Sequence, residues 1–464
     1  MCGIIGVSNH KDAAQITYLG LYALQHRGEE AAGIVSFDGQ ESHLIKNQGL
    51  VAEAFNERDI EELKGPTAIG HCRYSTTGSS NYKNIQPFLV IHKGKPIAVA
   101  HNGNLTNTEE LYARLEEEGS VFQTTMDSEL IVHLLVKTSR ADLKKGLIDV
   151  LTQLKGAFSL VLMIGDYIVG VRDPQGFRPL CLGKLDKSYV LASESCALDL
   201  IRAEFVREIE PGEIIIIQGQ KMESVYLPSS QKDKRAHCVF ENIYFARPDS
   251  DIFEDNVYRV RERLGAQLAK EHPVEADFVM AIPDSGNYAA LGFAKELGLP
   301  FEVGIIRNHY IGRTFIQPTQ FLRDFRVKVK LNPIRSVLKD KKLVVIDDSI
   351  VRGTTSRSRV EDLRRAGAKE IHMRISCPPI KSPCFYGIDF PNKNELIAAN
   401  HSVKEIADFM KVDSLKYLSL DGMLSVMKQP NNFCHACYSG QYPAPIPRLQ
   451  SKYLLEGARP GNKS

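Results

Sequence analysis

Residues 344–356 read VVIDDSIVRGTTS, and this stretch decides the fold of the second half of the chain. Val344, Val345 and Ile346 are β-branched and apolar, which is typical of the end of a buried parallel strand. Two adjacent carboxylates, a turn of small and hydroxyl residues and a helical apolar pattern closed by Gly367 follow. Such a turn forms a phosphate cradle, because free backbone N–H groups and the helix dipole face it. The sequence therefore predicts a phosphate site here.

Side chains of this turn add further ligand groups. Asp347 and Asp348 suit a ribose diol or a hydrated Mg²⁺ ion. A polar loop with one capping aspartate is the alternative for any of these residues taken alone. Two acids directly before a hydroxyl-rich turn are more specific, and the segment resembles the phosphoribosyl-pyrophosphate (PRPP) motif of type I phosphoribosyltransferases. The resemblance implies further PRPP contacts from Ser349, Val351, Arg352, Gly353, Thr354 and Thr355.

A similar succession of elements comes earlier in the chain. It comprises a predicted strand at 279–282, a loop at 283–287, a helix to Leu297 closed by Gly298, and a further strand at 301–306. In a parallel sheet both loops open at the carboxyl edge, where ligands bind in open α/β sheets. The resemblance assigns the earlier loop to pyrophosphate, through Ser285 and Gly286. The Mg²⁺ ligands that it implies are Ser285, Asp347 and Asp348.

The segment between the two loops, residues 307–330, is strongly basic. Against the single acid Asp324 it has Arg307, Arg313, Arg323, Arg326, Lys328 and Lys330. A basic segment interrupted by Gly and Pro suits a lid, at 313–330, that closes over a polyphosphate and excludes water. A solvated charged loop or hairpin is the alternative, and the two phosphate loops favour the lid.

The N-terminus carries a candidate nucleophile. The chain begins Met1-Cys2-Gly3, and removal of Met1 would leave Cys2 with a free α-amine. With an unperturbed pKa of ~7.7–8.0, that amine can act as the base for its own thiol. A buried thiol on an N-terminal strand is the commoner alternative for a cysteine at this position.

Polar motifs at the ends of predicted elements accompany Cys2. They are QHRG at 25–28, HCRYST at 71–76, HNGN at 101–104 and DSE at 127–129. An Asn amide beside a Gly N–H, on the turn after a strand, suits an oxyanion hole. Taken separately, Arg73 is equally suited to a surface ion pair and Asp127 to capping the helix at 129–136. Together the motifs resemble the class II glutamine amidotransferase domain, in which Arg27 would support the site.

This resemblance implies a role for each residue of the glutamine site. Cys2 would attack the carboxamide, while Asn102 and Gly103 would stabilise the oxyanion. Arg73 would hold the substrate carboxylate in a bidentate pair, and Asp127 would hold its α-ammonium group. The assignment is chemically consistent, because an amino acid substrate needs one fixed cation and one fixed anion.

Length and motif order predict two domains. With 464 residues the chain is long for a single core. We place the boundary near residue 235, after a polar linker at 229–235, so that 1–235 is the glutaminase domain and 236–464 the phosphoribosyltransferase domain. The predicted fold is an α+β N-terminal-nucleophile αββα sandwich followed by an α/β type I phosphoribosyltransferase domain with a mostly parallel sheet.

Composition restricts the partners and the compartment. A formal net charge of +2 gives no general attraction to nucleic acid or membrane. The N-terminus has no basic secretory n-region, and the apolar run at 158–171 is interrupted by Asp166. Nine cysteines are sparse and odd in number, which favours a reducing compartment. We expect a cytoplasmic protein without nucleic-acid or membrane partners.

Cysteines near the C-terminus suggest a further cofactor. Cys434 and Cys437 form a C-x-x-C motif, which by itself leaves zinc, a cluster, a redox pair and coincidence open. The whole chain resembles the glutamine PRPP amidotransferase family, in the subgroup that carries a [4Fe–4S] cluster. The implied ligands are Cys238, Cys384, Cys434 and Cys437, in a structural or oxygen-sensing role. We interpret the other cysteines as small buried hydrophobes: Cys72, Cys181, Cys196 and Cys377.

The subgroup differs from this sequence at the N-terminus. Its members commonly carry a short propeptide before the nucleophile, whereas this sequence has Met1 alone. We expect either that methionine removal suffices or that the sequence is an engineered mature form.

The resemblance predicts a bifunctional enzyme at the first committed step of purine synthesis. Glutamine hydrolysis would supply ammonia internally to C1 of Mg²⁺·PRPP, giving phosphoribosylamine, glutamate and pyrophosphate. It also implies feedback inhibition by purine nucleotides (AMP, GMP, ADP, GDP) and a homotetramer. Two alternatives stay open from sequence: a sugar-phosphate isomerising amidotransferase, which the 344–356 loop disfavours, and a non-enzymatic nucleotide sensor with degenerate sites.

Overall fold

The computed structural model describes residues 1–74, 81–138, 142–228, 235–308, 331–390 and 392–447. The predicted lid at 313–330, most of the linker at 229–235, and residues 75 and 76 lie outside these ranges. The domain boundary near residue 235 therefore stays a prediction.

The first half of the chain forms two antiparallel sheets with helices on their outer faces. Its elements are β1 (Gly3–Ser8), α1 (Ala13–Ala23), β2 (Ala31–Phe37), β3 (Ser42–Gln48), α2 (Val51–Ala54), α3 (Glu57–Glu62), β4 (Thr67–Arg73), β5 (Phe88–His92), β6 (Lys95–Leu105), α4 (Thr108–Glu117), α5 (Ser128–Lys137), α6 (Leu143–Leu151), β7 (Gly156–Ile164), β8 (Tyr167–Arg172), β9 (Cys181–Leu185), β10 (Ser188–Ala192), α7 (Ser195–Leu200), β11 (Glu204–Glu208), β12 (Glu213–Gln218) and β13 (Lys221–Tyr226).

The two sheets pack face to face. One has the order β11-β9-β10-β1-β4-β2-β3 and the other β13-β12-β8-β7-β6-β5. Strand β12 shows how the period of two divides its residues: Ile215 and Ile217 join the core between the sheets, whereas Ile214 and Ile216 face the helices α4, α5 and α6. Helices α1, α2 and α7 cover the other sheet. This is the predicted αββα sandwich.

The second half of the chain is built around a parallel sheet. Its elements are β14 (His237–Cys238), a π-helix (Glu241–Phe245), β15 (Asp251–Ile252), β16 (Asp255–Asn256), α8 (Val257–Glu271), β17 (Phe278–Ala281), α9 (Asn287–Leu297), β18 (Ile305–Arg307), β19 (Leu331–Pro333), α10 (Arg335–Leu338), β20 (Lys342–Asp347), α11 (Thr354–Arg365), β21 (Glu370–Ile375), α12 (Ile397–Asn400), α13 (Val403–Met410), β22 (Ser414–Tyr417), α14 (Leu420–Ser425), β23 (Phe433–Cys434) and α15 (Ala436–Ser439).

The parallel sheet brings the two predicted loops together. Its order is β17-β20-β21-β22, with every pair parallel. Because β17 and β20 are adjacent, the loops that follow them meet at one edge of the sheet. Helix α9 ends as predicted at Gly298, which has φ +65°, and α11 ends just before Gly367. The predicted fold of this half is confirmed.

Two local predictions are wrong. Asn102 and Gly103 do not lie on a turn, because β6 continues through Leu105 and pairs with β7 from Ile97 to Leu105. A strand at 301–306 is replaced by a single bridge from Phe301 to Val279 and by β18, which pairs antiparallel with β19. In both places the partner strand, rather than local sequence, sets where pairing ends.

Within the described ranges, no helix is both long and apolar enough to cross a membrane. The apolar run at 158–171 forms the hairpin of β7 and β8.

Candidate functional site

Cys2 lies at the start of β1, the central strand of its sheet. The residue is 7% exposed. Its backbone N–H donates to Oδ1 of Asn102 at 3.3 Å, and its thiol donates to the carbonyl of Tyr74 at 3.4 Å. Pairing of Gly3 with Cys72 brings the end of β4 to the same place. Three segments distant in sequence therefore meet at the predicted nucleophile.

The side-chain amide of Asn102 makes a hydrogen bond through its oxygen but not through its nitrogen within the described structure. Its Oδ1 accepts from Cys2, whereas its buried Nδ2 has no hydrogen-bond partner among the described residues. An unpaired buried N–H costs about 1–3 kcal/mol, so this group is a candidate donor to a ligand. At the next residue, Gly103, a Cβ would lie 2.0 Å from the carbonyl oxygen of Ala157. This geometry suits an oxyanion hole built on a strand.

Asp127 is held as a buried carboxylate. Its Oδ2 accepts from the backbone N–H of Leu105 at 2.9 Å, and its Oδ1 accepts from the hydroxyl of Ser128. Burial alone would raise the pKa of Asp127, but His101, 3.5 Å away, and these hydrogen bonds hold that pKa below its ordinary value. The side chain makes no capping bond to α5. Asp127 is therefore positioned as a fixed anion.

Arg73 is buried at the end of β4, so the alternative of a surface ion pair is wrong. Its Nη1 donates to the carbonyl of Asn84 at 2.6 Å. The amide of Asn84 in turn exchanges two hydrogen bonds with Thr125, at 2.8 and 3.1 Å. Since Thr125 precedes Asp127 by two residues, Asn84 links the predicted cation to the segment that carries the predicted anion.

Arg27 lies behind Cys2 and is fully buried. Its Nε donates to the backbone carbonyl of Cys2 at 2.9 Å. Glu194 and Glu241, both fully buried, accept hydrogen bonds from the other two guanidinium nitrogens. Burial disfavours the charge, but the two carboxylates outweigh it and raise the pKa of Arg27. Sequence reasoning missed both acids, because a single acid without a spacing pattern gives no signal.

The two predicted phosphate loops meet at the paired acids. Asp347 ends β20, and Asp348 follows it at 6% exposure. The hydroxyls of Ser285 and Ser349 both donate to the Asp348 carboxylate. Burial and the adjacent charge raise the pKa of Asp347 well above its ordinary value, and burial also raises the pKa of Asp348. Two crowded carboxylates of this kind favour a bound cation.

The earlier loop approaches this acid pair closely. A Cβ at Gly286 would lie 2.7 Å from the carbonyl oxygen of Ile346, so only glycine allows the contact. Asp284 in the same loop pairs with Arg307, a basic residue of the 307–330 segment that the structure describes. The loop thus brings a hydroxyl, that of Ser285, to the acid pair, while its own acid Asp284 is paired with Arg307.

The later loop enters α11 through Gly353. This residue has φ +75°, and a Cβ there would lie 2.9 Å from Cδ1 of Ile397. Thr354 and Thr355 are exposed, and the first N–H groups of a helix have no intrahelical acceptor. Arg352 instead pairs with Glu395 at 2.7 Å. Backbone N–H groups and hydroxyls of this loop are available to bind an anion. The first turn of α11 contains no acidic residue that would repel it.

The four predicted cluster cysteines come from three segments. Cys238 on β14 stands opposite Cys434 on β23, in parallel register. Burial raises the pKa of Cys238 to about 11, and Cys384 also contributes. Burial followed by Cys238, Cys384 and Cys434 raises the pKa of Cys437 well above its ordinary value. Cys238 and Cys437 are buried in one core against which Cys384 packs, and Cys384 and Cys434 both pack against the small hydrophobic cluster beside it. The remaining predicted structural cysteines, Cys72, Cys181, Cys196 and Cys377, are buried.

In the described part of the chain, no three His, Cys, Asp or Glu side chains are placed to hold one metal ion. A [4Fe–4S] cluster is held by four thiolates that surround it, and these four cysteines, two buried and two half-buried, fit that donor set. At the acid pair, two carboxylates and a hydroxyl fit Mg²⁺, which is usually bound through one or two carboxylates and keeps several waters.

Known proteins resemble the chain over almost its full length. A family model described as a glutamine amidotransferase domain matches residues 71–200. The amidophosphoribosyltransferase of Archaeoglobus fulgidus is 48% identical, over 96% of this chain and 99% of its own length. That of Bacillus subtilis is 46% identical, over 96% and 94%.

Solved structures agree with these relatives. One described as the allosteric regulatory enzyme of purine biosynthesis has a TM-score of 0.91 and 46% identity, covering 96% of this chain and 97% of its own. Another, the glutamine PRPP amidotransferase from B. subtilis complexed with ADP and GMP, has a TM-score of 0.90 and 45% identity, covering 96% and 98%. Because sequence and fold agree over almost the whole length, the chain belongs to the amidophosphoribosyltransferase family.

Proposed function

We propose that Cys2 is the nucleophile that hydrolyses glutamine. The observation that carries this proposal is the buried Nδ2 of Asn102, which has no hydrogen-bond partner among the described residues, while Oδ1 of the same amide accepts from the backbone N–H of Cys2. In this proposal the tetrahedral oxyanion accepts from Asn102 and from the backbone of Gly103. With Met1 removed, the α-amine of Cys2 takes the thiol proton.

Arg73 and Asp127 fix the amino acid part of glutamine. The Arg73 guanidinium pairs with the α-carboxylate, and Asp127 accepts from the α-ammonium group. The low pKa of Asp127 supports this role, since the side chain must be ionised at neutral pH to bind a cation. Both side chains are buried, so the pairs form away from bulk water, where they are stronger.

Ammonia passes internally to a PRPP site at the paired acids. Asp347 and Asp348 bind the ribose hydroxyls and, with Ser285, the Mg²⁺ ion, while Ser285 and Gly286 approach the pyrophosphate. Mg²⁺ bound there would neutralise charge on the pyrophosphate leaving group. The nitrogen of ammonia forms the bond to C1 of the ribose as the bond to pyrophosphate breaks. The loop that holds the 5′-phosphate comprises Ser349, Val351, Arg352, Gly353, Thr354 and Thr355.

Cys238, Cys384, Cys434 and Cys437 are proposed to hold a [4Fe–4S] cluster. When bound, the cluster would supply a covalent link between three distant segments of the chain. A role in structure or oxygen sensing follows, since no step of the proposed reaction transfers electrons.

Regulation, assembly and location are also proposed from the family. Purine nucleotides such as ADP and GMP would compete with PRPP, because a nucleotide phosphate can use the same cradle. The solved structure of the B. subtilis relative is a complex with ADP and GMP. A homotetramer in the cytoplasm completes the proposal, although some relatives are named as chloroplastic.

The test of the PRPP site is the pair of substitutions Asp347→Asn and Asp348→Asn. We expect PRPP-dependent amination to be abolished, with slow glutamine hydrolysis retained, because the acids bind only the second substrate. Asp277→Asn is the matched control: its carboxylate accepts from Lys342 at the opposite end of β20. Fructose 6-phosphate serves as the negative control for the isomerising alternative. Unchanged amination in the double variant would contradict the assignment.

A further inference from the structure

We propose that Glu241 is a positioning residue for the nucleophile, acting through Arg27. The inference rests on the proposed role of Cys2, and it extends the glutamine site to an acid from the second half of the chain. Glu241 is the first residue of the π-helix at Glu241–Phe245, three residues after the predicted cluster ligand Cys238.

The contacts define a short chain from the π-helix to the nucleophile. Nη1 and Nη2 of Arg27 donate to the two carboxylate oxygens of Glu241 at 3.1 and 2.8 Å. The third nitrogen, Nε, donates to the backbone carbonyl of Cys2 at 2.9 Å. A guanidinium is planar and rigid. A carboxylate that accepts hydrogen bonds from both Nη1 and Nη2 therefore also fixes the direction of Nε–H. Glu241 therefore orients the hydrogen bond that holds Cys2.

The buried charges around this series of contacts are equal in number and opposite in sign. Arg27 and Arg178 supply two positive charges, and Glu194 and Glu241 supply two negative ones, all four side chains being buried to within 1%. Nη1 of Arg178 lies 3.5 Å from Glu241. Removing one member of a buried ion pair is strongly destabilising, because the remaining charge is left uncompensated. Neutralising Glu241 would leave two arginines with one acid.

The two acids are not equivalent in this arrangement. Glu194 also accepts from the hydroxyl of Ser250 at 2.7 Å and from the backbone N–H of Arg247 at 2.8 Å, and it contacts His26 at 2.8 Å. It is therefore shared among several groups of both halves of the chain. Glu241 makes the bidentate contact, so it is the acid that determines the orientation of Arg27.

Replacement of Glu241 by Gln should slow glutamine hydrolysis selectively. The amide has one acceptor oxygen and presents an N–H₂ group to a guanidinium, so the bidentate contact is lost. We expect kcat for glutamine hydrolysis to fall about 10–100-fold, since small misplacements of a reacting group have effects of this size. The KM for glutamine should stay within about twofold, because Arg73 and Asp127 are untouched. Amination with external ammonia and PRPP should be unchanged.

The experiment measures these three quantities on the full-length protein, together with the rate at which iodoacetamide alkylates Cys2. Glu213→Gln is the matched control, because Glu213 is fully buried and makes the same bidentate contact to Arg207, at 2.6 and 2.7 Å, away from Cys2. It should retain the wild-type kcat. Glu241→Asp keeps the charge but withdraws the carboxylate by one methylene, and it should show an intermediate kcat. If Glu241→Gln gives no soluble protein, the inference is tested with Glu241→Asp instead.

Cys2→Ser separates failure of this inference from failure of the proposed function. If Cys2→Ser abolishes glutamine hydrolysis while Glu241→Gln and Glu241→Asp retain wild-type kcat, Glu241 is not a positioning residue. If Cys2→Ser itself retains hydrolysis, the proposed nucleophile is wrong and the inference fails with it. A parallel loss of the ammonia-dependent reaction in the Glu241 variants would indicate a general structural role and would also overturn the inference.

Discussion

At the scale of single residues, Asn102 combines two tasks in one amide. Its oxygen accepts from the backbone N–H of Cys2, and its N–H₂ group, which has no partner in the described ranges, is available to a ligand. Fixing one end of the amide orients the other end, so the oxyanion donor is prepared before glutamine binds. Preorganised donors of this kind are usually the largest electrostatic contribution to acyl transfer.

The first prediction concerns this amide. Asn102→Ala should lower kcat for glutamine hydrolysis by about 10²–10³-fold, the range measured for loss of one oxyanion donor, while ammonia-dependent amination is kept. Steady-state assays with each nitrogen source provide the measurement. Asn107→Ala is the control, since the Asn107 amide bonds only Gln153 and Lys155 within the described contacts. A decrease of less than about threefold would argue against the oxyanion role.

A second residue-scale prediction concerns the paired acids. The pKa of Asp347 in the folded state is raised by burial and by Asp348, so the folded state holds the proton more tightly than the unfolded state. The stability contributed by that proton is present at low pH and is lost as the pH rises through the folded-state pKa. At neutral pH, where an unfolded Asp is ionised, burial of this pair therefore lowers the stability of the protein when no cation is bound.

Asp347→Asn should consequently raise the midpoint of thermal unfolding at neutral pH, in the absence of Mg²⁺ and PRPP. The gain should shrink as the pH is lowered towards the ordinary Asp pKa of ~3.9, where both proteins are neutral at this position. Thermal unfolding at a series of pH values measures this difference. Asp277→Asn again serves as the control, and a gain that is independent of pH would contradict the electrostatic explanation.

At the scale of secondary structure, two glycines let α8 and α9 cross closely. A Cβ at Gly265 would lie 1.8 Å from the carbonyl oxygen of Ala289, and one at Gly292 would lie 1.8 Å from that of Glu262. Both contacts are to backbone atoms, which cannot move aside as a flexible side chain would. The crossing holds the N-terminus of α9, and with it the loop of Ser285 and Gly286, against the sheet.

The third prediction follows from this crossing. Gly292→Val should destabilise the fold by about 1–3 kcal/mol, because the helices must separate to admit the side chain. The KM for PRPP should rise more than the KM for glutamine, since α9 carries the PRPP loop. Glu296→Ala, on the exposed side of the same helix, should change stability by less than about 0.5 kcal/mol. Denaturant unfolding and substrate titrations measure both effects, and equal stabilities of the two variants would contradict the packing argument.

At the scale of the whole molecule, the segment 384–387 joins the two halves of the chain. The carbonyl of Phe385 accepts from Asn104 at 3.0 Å, and that of Tyr386 accepts from Nε of Arg178 at 3.0 Å. A Cβ at Gly387 would lie 3.1 Å from the backbone of Gly103. The segment begins at Cys384, so a predicted cluster ligand lies three residues before the glycine that contacts Gly103 of the predicted oxyanion hole.

The fourth prediction uses this connection. Cys434→Ser should lower the iron and acid-labile sulfide content, lower the unfolding midpoint, and reduce glutamine hydrolysis as well as amination, because loss of the cluster releases the segment that supports Gly103. Anaerobic purification followed by iron and sulfide analysis provides the measurement. Cys181→Ser is the control, since its sulfur bonds only the carbonyl of Ala192 among the described contacts, a bond that a serine hydroxyl also makes. Unchanged iron content would exclude Cys434 as a ligand.

The sequence predicted the elements that depend on local pattern. The strand end at 344–346, the loop after it and the helix closed by Gly367 follow from apolar periodicity and turn chemistry, and the structure confirms them with a strand at Lys342–Asp347 and a helix at Thr354–Arg365. The sequence HNGN predicts a turn at Asn102, because its residues are polar, whereas pairing with β7 keeps them in a strand. The strand predicted at 301–306 is absent for the same reason. The partner segments, Val279 and β19, decide which of these residues pair.

By itself the sequence determined the family, the two substrates' candidate residues and the order of the elements, because motifs and periodicity are local properties of the chain. The tertiary structure decided which distant groups meet. Glu194 and Glu241 both contact Arg27, from positions 167 and 214 residues away in the sequence. The segment 384–387 contacts β6. No local pattern encodes such contacts, since they depend on which distant segments the completed core brings together, where buried charges and polar groups must be paired.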